Sequence, residues 1–408
     1  MPLIDYLKPL RAACAVSVAG SSVGAAAALH VSQSSVTRAV FALETGLQQV
    51  VFYRSTLGMQ PTPAFAAVLK QCVAAFDYLA ITEAVKPRKS KIPRWMHCRV
   101  ALGMGARHVR VLLSLSATGS ETLSAMQLGI SQSAVHQTLA QLEHLCTQPL
   151  FVRSSQAGLR LTETGTGLLS GCKLFLSELQ QADEMLAALS GQMLGRLAVG
   201  TLPFSTAALL PRALDRVLQS LPSVQVTVID GTYDTLIQLL RQGEIDLMVG
   251  ALRPELSVKG LVQETLFIDR LAVLARAGHP LTKRPKLSWR DLKTTQWIMP
   301  MAHTPAQTVL EQVLSSGGLP MPAVELRVNS ALMMQALLLQ SDRVAMMSPR
   351  QMQAEITAGL LAELPLPMPH TERTIGLVRR AEVRASAPLA SLIATCRQVA
   401  WEIVRESP

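Results

Sequence analysis

Apolar positions with helical spacing near the N-terminus predict a pair of short helices. Residues 21–28 are mostly small side chains, which favour a helix that a neighbouring helix can approach closely. Ser32 follows a short turn and has the side chain of a helix N-cap. Val36, Val40 and Leu43 then recur with the spacing of one helix face, so they predict the buried side of a second helix.

The same pattern returns 99 residues later in the chain, and the two copies align without gaps. Residues 20–54 and 119–153 are identical at 13 of 35 positions, which favours an internal duplication over chance. Each copy continues into two short strand-like stretches separated by a glycine, over residues 50–63 and 149–165, and these stretches predict a β-hairpin. The sequence therefore predicts a helix pair and a hairpin, built twice.

Polar residues of the second helix in each copy lie opposite the predicted buried face, near the helix N-terminus. A recognition helix presents such side chains to base edges and phosphates, and a hairpin arginine can reach a phosphate. The alternative is an ordinary amphipathic helix with a solvated polar face. The candidate DNA-contacting residues are Ser32, Gln33, Ser34, Thr37, Arg38 and Arg54 in the first copy, and Ser131, Gln132, Ser133, His136, Gln137 and Arg153 in the second.

Both copies resemble the winged helix-turn-helix of LysR-type transcriptional regulators. The resemblance rests on SQSSVTR and SQSAVHQ in the helices, on the Leu-Glu pair that follows each, and on LTETG after the second hairpin. Most family members have one such domain, so the duplication is a departure. Ser22 and Glu121 also depart from the family's Phe, and Gln137 replaces the DNA-contacting Arg that Arg38 retains. Glutamine can still read adenine, so one interpretation is that the second copy has a different base preference. The alternative is that one of the two helix-turn-helix copies is a protein-contact module and not a DNA reader.

Apolar residues repeat in heptads along a helix predicted after the second copy. They are Leu168, Cys172, Phe175, Leu179, Ala182, Leu186 and Leu189. Such a seam packs against another helix. The resemblance implies that residues 167–192 form a dimerisation linker helix, with homodimer and homotetramer both left open. The alternative is that the seam packs against the chain's own domain.

Positive charge is concentrated in one stretch between the two copies. Residues 86–110 hold eight basic and no acidic residues, out of a net charge of +10 for the chain. Pro87 and Pro93 interrupt helical structure in this stretch. We therefore expect residues 86–106 to be a basic linker, solvated or on phosphate, that tethers the first copy to the second.

Strands alternate with helices from Gly195 onwards, which favours an α/β fold with a parallel sheet. The predicted strands include residues 266–278 as one unit and residues 324–328. This half resembles the family's two-lobed, periplasmic-binding-protein-like effector domain. The resemblance implies a small organic ligand, with carboxylate as the expected class, bound between the lobes at helix N-termini. The candidate effector residues, each of which could equally be a plain helix cap, are Ser205, Thr206, Thr232, His303 and Thr304.

The sequence thus predicts a multidomain chain: two all-α-rich winged helix-turn-helix domains, a long linker helix, and an α/β two-lobed periplasmic-binding-protein-like effector domain. The predicted ranges are 1–85 and 107–166 for the helix-turn-helix domains, 193–268 with 373–408 for lobe I, and 269–372 for lobe II. The resemblance implies a cytoplasmic regulator whose DNA affinity or DNA bending depends on the effector.

Composition and motifs weigh against other functions. Aromatic residues make up 4% of the chain, too few for a single-strand binder that stacks bases. The six cysteines lack metal-ligand spacing, and we find no phosphate loop or Ser/His/Asp arrangement, so no metal, cofactor or enzymatic activity is predicted. A solute-binding protein, the alternative from another class, would need a secretory signal. No apolar run is long enough to cross a membrane.

Overall fold

The computed structural model describes residues 2–55, 58–82, 92–154, 158–189, 195–202, 208–253, 260–316, 320–323, 325–381 and 385–406. The chain divides into two compact units. The first unit is Met1–Leu194 with Gln242–Glu244, and the second is Gly195–Arg241 with Ile245–Pro408.

The first unit contains the same series of elements twice. The first repeat comprises α1 (Leu7–Ala19), α2 (Ser22–Leu29), α3 (Gln33–Leu47), β1 (Phe52–Ser55), β2 (Gly58–Pro61) and α4 (Pro63–Tyr78). A short helix α5 (Arg99–Gly103) follows. The second repeat comprises α6 (Ala106–Thr118), α7 (Glu121–Leu128), α8 (Gln132–Cys146), β3 (Phe151–Ser154), β4 (Gly158–Leu161) and α9 (Glu163–Leu189). The bounds of α6, α7, α8 and β3 lie 99 residues after those of α1, α2, α3 and β1, which confirms the predicted helices and hairpins.

The hairpin of each repeat is attached to the preceding helices by the same hydrogen bonds. Met59 N–H donates to Gly20 O at 3.0 Å, and Leu159 N–H donates to Gly119 O at 2.8 Å. The Glu of each Leu-Glu pair accepts a backbone N–H just before or at the first strand: Glu44 does so in one repeat and Glu143 in the other. These contacts explain why the duplicated sequences keep a Glu at this position.

The linker helices α4 and α9 pack against each other within the chain. Their apolar seams are buried in one hydrophobic core that extends from Leu3 to Ala182. At its centre the rings of Phe76 and Phe175 lie 5.4 Å apart. In this chain α4 covers the seam as far as Ala182, as in the alternative that the seam packs against the chain's own domain. Of the heptad residues, Leu189 at the end of α9 is exposed, at 43%.

Residues 94–104, in the last part of the stretch expected to be a basic linker, are not the solvated segment that its charge predicted. A 3-10 helix at Arg94–His97 and the helix α5 place the side chain of Trp95 fully inside the core, 5.1 Å from the Phe76 ring. The backbone N–H of Trp95 also donates to Asp77 Oδ1 at 2.9 Å. The linker interpretation is wrong for residues 94–104, since their apolar side chains outweigh the basic ones, which point outwards. Residues 83–91 lie outside the described residues.

No single helix in the described part of the chain is long and apolar enough to cross a membrane. A bent pair of helices, Leu3–Ala19 and Ser22–Leu29, passes the same test of length and composition at an angle of 118°. Most of the apolar side chains of the first of these belong to the core of the first unit.

The second unit consists of two sheets with helices around them. Its elements are β5 (Gly195–Thr201), α10 (Leu210–Ser220), β6 (Val224–Asp230), α11 (Tyr233–Arg241), β7 (Leu247–Ala251), β8 (Leu261–Arg270), β9 (Ala272–Arg276), β10 (Trp297–Ile298), α12 (Pro305–Ser316), α13 (Ala331–Gln340), β11 (Val344–Met347), α14 (Gln353–Thr357), β12 (Leu361–Glu363), β13 (Glu372–Arg380) and α15 (Ala387–Arg405).

The strands of the second unit differ from the sequence prediction in three details. One sheet has the order β6-β5-β7-β13-β8 and the other β10-β11-β9-β12. Both sheets are mixed, because β13 runs antiparallel to β7 and β8, and β9 runs antiparallel to β11 and β12. Residues 266–278 do not form one strand, since the chain crosses between the sheets at Leu271. The strand predicted at residues 324–328 is reduced to one bridge, between Met299 and Arg327.

Candidate nucleic-acid interface

The start of α3 is fixed by its cap and by its buried side. Ser32 Oγ accepts the N–H of Ser35 at 3.2 Å, as a helix N-cap does. Val36, Val40 and Leu43 are at most 1% exposed, so the helix can turn only its other side outwards. The predicted polar residues therefore lie on an outward face near the N-terminus of α3.

That face carries a cation without an acidic partner. Ser32, Gln33, Ser34 and Arg38 are exposed, and Thr37 is half-buried. Arg38 Nε donates to the Ser34 carbonyl at 3.4 Å and takes part in no ion pair among the residues that the structure describes. The guanidinium is thus held close to the helix and stays available to an anion.

Two further contacts order the first repeat around this face. Gln33 Nε2 donates to Ser22 Oγ at 3.1 Å, which ties the start of α3 to the start of α2. In the hairpin, Arg54 lies 3.3 Å from Glu44 and remains 54% exposed. Because Glu44 is itself held by backbone N–H groups, Arg54 is positioned opposite Met59, near the turn of the hairpin, with its outer side open to solvent.

The second repeat presents the same helix with a different charge pattern. Ser131 caps α8, and Ser131, Gln132, Ser133, His136 and Gln137 are all exposed. Glu121, at the start of α7, lies 3.4 Å from His136 Nδ1 and 3.9 Å from Arg153. Its carboxylate is only 10% exposed.

Glu121 is a residue of this face that was not predicted from the sequence. Glu121 stands 99 residues after Ser22, so a carboxylate replaces a hydroxyl at the same place beside the recognition helix. The sequence showed it only as a departure from the family's Phe. Its partners lie on another helix and on the hairpin, and no local sequence pattern predicts these contacts.

The effector candidates that the structure describes are helix caps in separate lobes. Thr232 Oγ1 accepts the N–H of Thr235 at 3.3 Å at the start of α11. Thr304 Oγ1 accepts the N–H of Gln307 at 3.4 Å at the start of α12, and His303 before it is exposed with a φ of +59°. Ser205 and Thr206 lie outside the described residues. The structure thus agrees with the capping interpretation for the two threonines.

A buried charge cluster lies where the chain crosses between the two sheets. Asp269, at the end of β8, accepts hydrogen bonds from Ser348 Oγ at 2.9 Å and from Arg350 at 3.1 Å. Arg373 donates to the other oxygen at 3.0 and 2.9 Å. Burial lowers the pKa of Arg373 from its ordinary value, and Asp269 opposes that shift. Asp269, Ser348 and Arg350 line a small pocket beside Phe267. A lone Asp inside an apolar strand, in FIDRL, is the signal that could have found this cluster.

Comparison with known families matches both halves of the chain. The family described as "Bacterial regulatory helix-turn-helix protein, lysR family" matches residues 7–64 and 106–166. The family described as "LysR substrate binding domain" matches residues 190–401. The two helix-turn-helix segments coincide with the two repeats up to their hairpins.

Individual proteins extend this match over nearly the whole chain. The HTH-type transcriptional regulator GalR of Pseudomonas putida is 33% identical over 399 residues, 98% of each chain. The regulator PcaQ of Agrobacterium fabrum is 28% identical over 298 residues, which cover 95% of PcaQ but 73% of this chain. GalR is therefore similar in length to this protein, whereas PcaQ leaves about a quarter of it unmatched.

Solved structures show the same fold at low sequence identity. The full-length regulator CbnR in complex with its target DNA has a TM-score of 0.54 at 18% identity, over 72% of this chain and all of CbnR. A full-length OxyR variant from Pseudomonas aeruginosa also has a TM-score of 0.54, at 20% identity, over 71% of this chain and 97% of its own. Together with the family matches, these findings show that the chain belongs to the LysR family of transcriptional regulators.

Proposed function

We propose that this protein regulates transcription by binding double-stranded DNA through two tandem winged helix-turn-helix domains, within residues 1–85 and 107–166. Residues 193–408 bind the small-molecule effector that changes DNA affinity or DNA bending. The proposal is supported by the family matches to both repeats and by the similarity in length to GalR. It includes the predicted DNA contacts of both repeats.

One observation carries the DNA-binding assignment. The outward face of α3 combines hydroxyl and amide groups with Arg38, and no carboxylate in the described residues neutralises that cation. Arginine at this place can bind a phosphate or pair with the two acceptors of guanine.

Gel-shift measurements over a salt series test this assignment. Full-length Arg38→Ala is expected to weaken binding to operator DNA and to reduce the slope of log K against log salt by about one phosphate contact. Arg290→Ala is the matched control, because Arg290 is an exposed arginine of the second unit. Unchanged affinity and slope in Arg38→Ala would remove the first repeat from the DNA interface.

We propose a small organic carboxylate as the effector, bound between the lobes of the second unit. The starts of α11 and α12 offer N–H groups beside Thr232 and Thr304, and His303 lies next to the latter. Arg350 adds a partly exposed guanidinium at the pocket near Asp269. Ser205 and Thr206 remain predicted contacts.

Thermal unfolding with matched ligand pairs tests the effector class. Small organic acids and their uncharged amides are added to the full chain. An acid that binds, when present at a concentration of 100 times its Kd, is expected to add about 2.7 kcal/mol to the free energy of unfolding, and its amide is expected to add much less. Equal shifts for acid and amide would contradict a carboxylate site.

A second candidate function concerns the second repeat. Because Glu121 pairs with both His136 and Arg153, the second repeat could contact a protein rather than DNA. Gln137→Ala and Arg153→Ala would then leave DNA binding unchanged. A loss of affinity in these variants favours two DNA readers.

A further inference from the structure

Two arginines in equivalent positions each contact the other repeat, one through a buried backbone carbonyl and the other through an exposed carboxylate. Arg11 donates to the carbonyl of Met104 at 2.5 Å, and Arg110 donates to Asp5 Oδ1 at 2.5 Å. Arg110 stands 99 residues after Arg11, and Met104 stands 99 residues after Asp5. The position that each arginine contacts in the other repeat is therefore the same.

The linker helices show a second contact of this kind. Gln71 on α4 donates to Glu178 on α9 at 2.5 Å. Gly171 on α9 lies so close to Tyr78 on α4 that an added Cβ would be 2.5 Å from the Tyr78 carbonyl oxygen. These helices are offset by 100 residues, because the second hairpin is one residue longer. Gly171 thus corresponds to Gln71, and Glu178 corresponds to Tyr78.

Reciprocal contacts are the property of a twofold interface. In a symmetric dimer, residue i of one subunit contacts residue j of the other, and j contacts i in return. Both pairs above follow this rule, although all the residues belong to one chain. The two repeats are therefore related by an approximate twofold axis that passes between α4 and α9, near Phe76 and Phe175.

This arrangement is fixed by burial and not by surface contacts alone. Arg11 is only 8% exposed, and its guanidinium lies 5.3 Å from the centre of the Phe76 ring. Burial lowers the pKa of Arg11 to about 10, so the side chain is still charged at neutral pH. Trp95 fills the space beside the same ring. The pairing of the repeats is thus part of the core of the first unit.

We infer that a single chain carries a complete two-headed DNA-binding unit, in which α3 and α8 dock on two unlike half-sites of one operator. The inference rests on the proposed function. A twofold axis gives α3 and α8 equivalent orientations, as in dimeric helix-turn-helix proteins. The half-sites of such proteins lie about 34 Å or a multiple apart. The half-sites differ because Arg38 in one head corresponds to Gln137 in the other, and arginine and glutamine prefer guanine and adenine respectively.

Selection from random duplex DNA, followed by footprinting, tests this inference with the full chain. We expect enriched sites that contain two unlike half-sites spaced by about 10 base pairs or a multiple. Arg38→Ala and Arg54→Ala should each reduce protection at one half-site at least tenfold more than at the other. Gln137→Ala and Arg153→Ala should do the same at the other half-site.

Arg290→Ala is the matched control and should leave both half-sites protected. All four tested residues are exposed, so the variants are expected to fold, and circular dichroism checks this. If two chains bind together, the footprint contains two such pairs, and each variant still affects one member of each pair.

The outcomes separate this inference from the proposed function. Variants of both heads that weaken the same half-site, or second-head variants that change no protection, would overturn the two-headed unit while DNA binding itself stands. The absence of any enriched sequence, together with no salt-dependent gel shift, would reject the proposed function.

Discussion

A single difference between two equivalent positions changes the electrostatics of the two predicted DNA faces. In the first repeat, the Ser22 hydroxyl accepts a hydrogen bond from Gln33, Arg54 pairs with Glu44, and Arg38 has no acidic partner within the described ranges. In the second repeat, Glu121 holds Arg153 and His136 at salt-bridge distances. A phosphate that approaches the second face must compete with this carboxylate or be repelled by it. The first face should therefore bind DNA more tightly and with a larger salt dependence.

Exchanging these two side chains should move DNA affinity in opposite directions. Glu121→Ser frees Arg153, so we expect binding roughly two- to fivefold tighter and a log–log salt slope steeper by about 0.9. Ser22→Glu adds a carboxylate beside Gln33, at the place equivalent to that of Glu121 near Arg153, and should weaken binding by a similar factor. Gel shifts over a salt series measure both variants. Glu163→Ser, at an exposed glutamate that starts α9, is the control. A change of the same sign in both variants would contradict the argument.

Residues of the DNA faces could be predicted from the sequence where their position depends only on neighbouring residues in the same helix. The spacing of Val36, Val40 and Leu43 determines which side of α3 is buried, and this leaves Arg38 outside. Glu121 could not be assigned in this way, because its effect depends on how α7, α8 and the hairpin come together. The cluster around Asp269 has the same limitation, since its partners lie about 80 and 104 positions away in the chain.

Among the elements, the linker helices show what an amphipathic pattern does and does not predict. The heptad seam correctly indicated that one side of α9 is buried, from Leu168 to Ala182. A seam carries no information about whether its partner belongs to the same chain or to another. The partner α4 has its own apolar seam, and the two fit because Gly171 allows the Tyr78 carbonyl to approach closely. The intramolecular pairing therefore became visible only in the folded chain.

Two glycines of α9 should respond oppositely to the same substitution. An added Cβ at Gly171 would meet the Tyr78 backbone, so Gly171→Ala should destabilise the first unit by about 1–3 kcal/mol. At Gly167 nothing lies within 4 Å of the added Cβ, and Gly167→Ala should stabilise the helix by about 0.5–1 kcal/mol. Thermal and denaturant unfolding of both variants measures the difference. Equal effects would show that α4 and α9 do not approach closely at Gly171.

On the scale of the whole molecule, the first unit is organised as one folded body and not as two tethered domains. The sequence correctly predicted the duplicated elements and the alternation of strands and helices in the second unit, whereas the predicted parallel sheet is replaced by two mixed sheets. It placed a basic linker between the repeats because eight basic residues dominate residues 86–110. In the folded chain, Trp95 and its apolar neighbours hold residues 94–104 in the core, since burying a tryptophan is strongly favourable and the basic side chains of this part remain in water.

Because the two repeats share one core, a destabilising substitution in one repeat should also destabilise the other. Phe76 is fully buried on α4 and contacts both Trp95 and Phe175, so Phe76→Ala should cost about 3–5 kcal/mol. Hydrogen exchange should then show faster exchange in peptides from α3 and from α8 together, because sub-global opening follows the cooperative unit. Phe41→Ala on α3 is the matched control, since Phe41 is 62% exposed. Faster exchange confined to the first repeat would mean that the repeats unfold independently, and the twofold pairing would then be too weak to hold two heads on one operator.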